Sequence, residues 1–265
     1  MFFGHTWIFD GVPSELYNLY IRDLEPNAVS KSMGSNSFDI YDQKLYRRPI
    51  PYWYGMSPSS RLSFSFSAYS PEEIDSGTME LVQKWLFSNN QYKKFQVDQE
   101  DLRDTYWMAV FNQPQIVRIG NKIYGFEATI ECNAPYAFCF PKTTTYTFTE
   151  DIVDSTQTFY NGSDETSYYL FPKLVITINN IGDDISITNL DDDNRVMSLF
   201  GLSANEVITM DCDLQTISSS MGLKRLSLFN KHFLRLVPGR NRLRMQGNIA
   251  SIVMTTQFIS KRISG

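Results

Sequence analysis

From Tyr168 to Thr256 the chain reads as a run of short β segments separated by turns, with no helical period between them. The segments are Tyr168 to Leu170, Leu174 to Ile178, Ile185 to Asn189, Val207 to Met210, Leu226 to Phe229, Leu234 to Val237, Arg242 to Met245 and Ile249 to Thr256. Asn180, Gly182, Asp183, Gly201, Gly222, Pro238, Gly239 and Gly247 punctuate them. Strands recurring every ~8–12 residues without intervening helices predict an antiparallel sandwich, because parallel neighbours need long crossover connections.

The first half is β-rich around one helix. Trp7 to Phe9 is a short strand that breaks at Asp10-Gly11, and Leu62 to Ala68 alternates apolar and small polar residues, the period of a strand with one buried face. Ser70-Pro71-Glu72-Glu73 offers an N-cap, a first-turn proline and a capping-box glutamate, although Gly77 weakens these turns and favours a start near Ser76. Leu81, Val82, Trp85 and Leu86 then share a helical face, and the helix ends by Asn89-Asn90. Asp104 to Phe111 and Tyr124 to Cys132 are strands, with a turn at Gly120-Asn121. Two segments stand apart: a polar loop over Asn27 to Asn36, and an extended, irregular stretch over Pro49 to Pro58, which presents Tyr52, Trp53 and Tyr54 between prolines. A Thr-rich run, Thr143 to Thr149, opens the second half.

Composition supports a folded, assembling chain. Of 265 residues 42% are hydrophobic and 14% aromatic, and aromatics suit both pleated sheets and subunit interfaces. A net charge of −5 with no single basic block argues against nucleic-acid binding. Cys132, Cys139 and Cys212 lack CxxC spacing and read as small hydrophobes in reducing cytoplasm. The first ten residues do not resemble a signal peptide, and no apolar run nears the ~18 residues that span a bilayer.

Motifs for chemistry are wanting. Asp191-Asp192-Asp193 followed by Asn194 lacks the spacing and terminal Glu of a calcium loop and reads as a hairpin turn. His5 and His232 are isolated, no nucleophile elbow or phosphate loop occurs, and Glu72, Glu73 and Asp75 suit a helix's first turn better than catalysis. Tyr52, Trp53 and Tyr54 resemble a sugar platform, yet a packed or interface-facing segment explains them as well. No catalytic residue, metal ligand or cofactor is assigned.

The order of these features resembles the siphophage distal tail family over essentially the whole chain. Phe9 to Leu19 looks like its opening strand and turn, Trp85-Leu86 its helix end, and Tyr106 to Val110 its aromatic pair followed by a small residue. Gly125 to Ala137 is similar to the "F-x-V-x-F-x-C-x-x-P-Y" close of the first domain. Phe171 to Ile178, Val207 to Asp213 and Phe233 to Asn241 are similar to its "P-x-I-x-I", "I-x-I-D" and "F-x-x-L-x-P-G-x-N" segments. The sequence departs from the pattern at polar Glu15 and Asn18 and over Thr143 to Asn161, which has no clear counterpart.

The resemblance implies a mainly β chain: an N-terminal sandwich with one α-helix and an extended hairpin over 1–140, and a galectin-like antiparallel β-sandwich over 141–265. It further implies a structural protein of the virion tail tip, made in the host cytoplasm. Six copies would form a ring, residues 1–140 making it and 141–265 lying outside. The ring would join the tail tube protein to the tail-tip hub, touch the tape measure and receptor-binding proteins, and leave a DNA channel. Tyr52, Trp53 and Tyr54 are candidate ring or partner contacts. The competing readings are a carbohydrate-binding adhesin module and a surface-polymer hydrolase.

Overall fold

The computed structural model describes residues 5–21, 38–44, 46, 50–58, 61–88, 90–100 and 102–261. The segment Asn27 to Asn36, expected as a loop, lies outside the described residues. The chain divides into two units, Met1–Phe138 with Lys261–Gly265, and Cys139–Ser260.

The first unit begins with β1 (Trp7–Phe9), β2 (Val12–Pro13) and β3 (Tyr20–Ile21), then β4 (Phe38–Gln43), β5 (Tyr52–Pro58) and β6 (Ser63–Ile74). Helix α1 (Ser76–Phe87) follows, then β7 (Lys93–Val97), β8 (Thr105–Ile119), β9 (Lys122–Cys132) and β10 (Ala137–Cys139). Asp10 and Gly11 both take positive φ, 52° and 80°, so Phe9 pairs with Val12 across a two-residue turn whose twist suits a hairpin. Gly120, at φ 61°, makes the same economy possible between Ile119 and Lys122.

The main sheet runs β2-β1-β7-β8-β9-β6-β3. Four inter-strand steps separate β1 from β6, about 19 Å if the sheet were flat. Yet the Trp7 and Phe66 rings meet edge-to-face at 5.0 Å, and Phe66 also meets Phe95 at 6.0 Å. The sheet therefore curls upon an aromatic core, and the Ile21 amide donates to the His5 carbonyl at 2.9 Å, drawing the two ends together.

Helix α1 closes this core with Met79, Val82 and Leu86 buried, while Leu81, predicted on that face, is exposed. Trp85 fixes the helix in place: its indole N–H donates to the Phe9 carbonyl at 3.0 Å and its rings stack on Trp7 and Tyr17. The helix starts at Ser76, not at the Ser70-Pro71-Glu72-Glu73 capping box. Residues 70–74 stay in β6, where Ile74 pairs with Ile123, and Asp75 caps the helix by accepting from the Thr78 amide.

The second unit holds β11 (Lys142–Thr147), β12 (Val153–Asn161), β13 (Lys173–Ile178), β14 (Asp183–Asn189), β15 (Arg195–Leu202), β16 (Val207–Asp211), β17 (Thr216–Ser219), β18 (Gly239–Gly247), β19 (Ile249–Thr256) and β20 (Ile259–Ser260). One sheet is ordered β11-β19-β13-β16-β17 and the other β12-β18-β14-β15, each antiparallel. Leu174, Ile176, Ile208 and Met254 from the first meet Ile187, Leu199, Leu243 and Met245 from the second in one core, which is a sandwich. The predicted strand over Leu226 to Phe229 is instead a 3-10 turn, Leu226–Leu228, between buried Arg225 and buried Phe229.

Candidate assembly surfaces

The proline-bounded aromatic segment is not irregular. Residues 52–58 form β5, which pairs with β4 in an antiparallel ribbon. Its prolines fall at the ends, just before Tyr52 and at Pro58, so the ladder between them keeps its N–H donors. Tyr54 has no cross-strand partner: Tyr41 faces Gly55 and Asp42 faces Trp53, so Tyr54 is the extra residue of a bulge. Tyr52 and Tyr54 are exposed, with the Tyr54 hydroxyl donating to Gln43 at 3.1 Å. Ile40, Tyr41, Tyr46 and Ile50 are exposed alongside them.

Such a ribbon is marginal by itself in water and carries two edges without ladder partners among the described residues. An apolar ribbon with open edges is a template for another chain.

Two of the three residues of the acidic triplet are spent on arginines. Asp191 accepts from Arg242 at 2.9 and 3.1 Å and lies 3.6 Å from Arg240, and Asp192 accepts from Arg235 at 2.8 and 3.0 Å. The Arg242 hydrogen bonds hold the Asp191 carboxyl below its ordinary range despite partial desolvation. Asp193 and Asn194, at φ 50° and 55°, make the turn from β14 to β15. Among the described residues no group of three or more His, Cys, Asp or Glu is placed to hold a metal ion.

The remaining candidates have structural partners. Glu73 pairs with Lys122 at 2.6 Å on the sheet and does not belong to the helix's first turn, and Asp75 is the helix cap. His5 Nδ1 lies 3.1 Å from the Asp98 carbonyl, and His232 is exposed in the other unit. Burial pushes the Cys132 and Cys212 thiols up to about 12, which keeps them protonated and unreactive at neutral pH.

Two features escaped the sequence reading. One is a buried ion pair: Glu206 and Arg225 meet with side chains 0% and 6% exposed, and Glu206 also accepts from the Ser219 hydroxyl and the Ser203 amide. Burial pushes the Glu206 carboxyl up, but Arg225, Ser219 and Ser203 together outweigh it and hold the group at about 2. The other is a charge asymmetry legible in the sequence once the end of the chain is taken separately. From Leu214 to Gly265 there are nine Lys or Arg and no Asp or Glu.

Comparison with known proteins accords with this architecture. Residues 3–134 match the family described as phage tail protein N-terminal domain, and residues 136–256 match the phage tail C-terminal domain. No curated protein matches the chain in sequence. Among solved structures the chain is similar to the crystal structure of the SPP1 Dit (gp 19.1) protein, described as a paradigm of hub adsorption apparatus in Gram-positive infecting phages. The two share 11% identity with a TM-score of 0.70, covering 96% of this chain and 99% of that one. The chain belongs to the phage tail protein family whose N- and C-terminal domains account for its two halves, and it has the distal tail protein fold.

Proposed function

We propose that this protein is the distal tail hub of a long-tailed phage, a siphovirus, closing as a homo-hexameric ring between the tail tube and the tail tip. The observation that carries the reading is the likeness to a hub protein over nearly the full length of both chains, with both halves matching phage tail domains in the same order. In this reading residues 1–140 build the ring and 141–265 form an outer, galectin-like module. The β4–β5 ribbon, with Tyr52, Trp53 and Tyr54, lies against the next copy. That arrangement suits its exposed apolar side chains and open edges, because a closed ring satisfies each edge with the same neighbour.

The role is mechanical rather than catalytic. The ring holds the tail tube protein on one side and the tail-tip hub on the other, with the tape measure and receptor-binding proteins as further contacts. DNA passes through its centre, and a chain of net charge −5 suits a channel that must not grip a polyanion.

Antibody-labelled virions test the position. The label is expected at the distal end of the tail, and label along the shaft, at the head or nowhere on the particle contradicts the reading.

A further inference from the structure

Several open edges in the first unit are too short or too interrupted to take another strand. At the ends of the main sheet, β2 and β3 offer two residues each. In the ribbon, β5 carries the Tyr54 bulge and ends on Pro58, devices that keep a further strand from pairing. Its partner β4, Phe38-Asp39-Ile40-Tyr41-Asp42-Gln43, has neither proline nor glycine, and Ile40 and Tyr41 are 63% and 55% exposed.

The far half of β8 is a second uninterrupted edge. β7 pairs with β8 over Trp107 to Ala109, whereas β9 follows β8 on to Ile119. Phe138 of β10 lies 5.8 Å from Tyr106, at the start of the strand. Residues 115–119 therefore have a ladder on their β9 side and none on the other among the described residues. Gln113, at φ 52°, and Pro114 form a bulge in β8, but the next register shift is taken up by Tyr124 on β9, so β8 stays regular between them. Gln115-Ile116-Val117-Arg118-Ile119 then runs without proline, with Ile116 41% and Ile119 66% exposed. β-Branched apolar residues on an open edge invite another strand.

The two edges suit each other better than either suits itself. Arg118 and Asp42 are exposed, and neither has an ion-pair partner among the described residues. Pairing β8 with a second β8 brings arginine toward arginine, and pairing β4 with a second β4 brings carboxylate toward carboxylate. Pairing β4 with β8 brings opposite charges together, and side chains across a ladder favour that. Two different surfaces meeting head to tail are also what a closed ring of identical copies requires. We infer that the 115–119 edge of β8 receives β4 of the next copy, so that the sheet of one subunit continues into its neighbour. This rests on the proposed ring and names the surface that meets the ribbon.

The test uses the full chain, with circular dichroism and thermal melting establishing that each variant folds. The Asp42→Arg and Arg118→Asp chains are each expected to fall apart on dilution at concentrations at least tenfold above the wild type's, as light scattering reads. The Asp42→Arg/Arg118→Asp chain is expected to return toward the wild-type value. In rings mixed from isotope-labelled and unlabelled Arg118→Lys chain, a zero-length carbodiimide is expected to join Asp42 of one copy to position 118 of another, as mass spectrometry of the peptides will show. Rings unmoved by the single reversals, not restored by the double reversal, or without that link overturn the inference and leave the ring reading standing. A wild type that stays monomeric removes the ring and the inference together.

Discussion

Asn241 is wholly buried, and its side chain accepts from the Val237 amide at 2.8 Å and from Asn189 at 2.9 Å. It also donates to the carbonyls of Val237 and Gly239, so one amide group closes the whole Val237-Pro238-Gly239 turn. This gives the Pro-Gly-x-Asn pattern a physical meaning: proline and the positive-φ Gly239 bend the chain, and the asparagine satisfies the backbone groups that the bend strands. Asn241→Ala should cost about 3 kcal/mol, since donors lose a buried acceptor, and urea unfolding measures it. The Glu206–Arg225 pair was not legible, because nothing in the sequence marks two residues so far apart as partners. Arg225→Ala strands a buried carboxylate and should cost about 3–5 kcal/mol, whereas replacing both partners with apolar residues should cost far less. Because the folded carboxyl sits at about 2 against an ordinary 4.5, its contribution is complete above pH 4.5 and is lost as pH falls toward 2. Wild type should therefore lose stability across that window, and a Glu206→Gln chain should lose less of it, as acid titration of the melting temperature will read.

Several elements that bury one face were legible, the edge strands β11 and β12 were not, and β7, an internal strand that buries Phe95 and Val97, was missed as well. The alternation over Leu62 to Ala68 is β6, whose buried Phe66 and Ala68 line the aromatic core. By contrast β11 is an edge strand whose side chains are exposed or half-buried throughout, so Thr143 to Thr147 carries no apolar period. β12, the edge of the other sheet, buries Val153 and Phe159 only near its ends. The Thr143 to Asn161 stretch, which looked extra, thus supplies an edge strand to each sheet. At the helix start, local capping signals at Ser70 lost to sheet pairing that breaks after Tyr69 and resumes at Ile74. Asp75→Ala should lower the melting temperature by removing the helix cap, while a change at Glu73, which only meets Lys122 on the surface, should be nearly neutral in the same thermal melts. Gly125 shows why β6 and β9 can approach: a Cβ there would lie 2.1 Å from the Ala68 carbonyl oxygen. Gly125→Ala should force the strands apart and destabilise by about 3 kcal/mol.

At the scale of the molecule, the sequence carried the class of fold, because short turns and missing helices leave few alternatives to antiparallel sheets. The curling of the first sheet was not readable, since it depends on contacts such as Trp7 with Phe66 between strands far apart in order. The aromatic ribbon was legible as a surface feature and illegible as a ladder, because the prolines suggested an interruption that their end positions avoid. The β4–β5 ribbon, with exposed apolar side chains and edges without ladder partners among the described residues, suits the proposed contact with a neighbouring copy. Light scattering on the purified chain, over a wide concentration range, decides whether the proposed ring closes. A discrete species of six copies that persists on dilution is expected. A monomer at every concentration, or an open series of sizes, would contradict it.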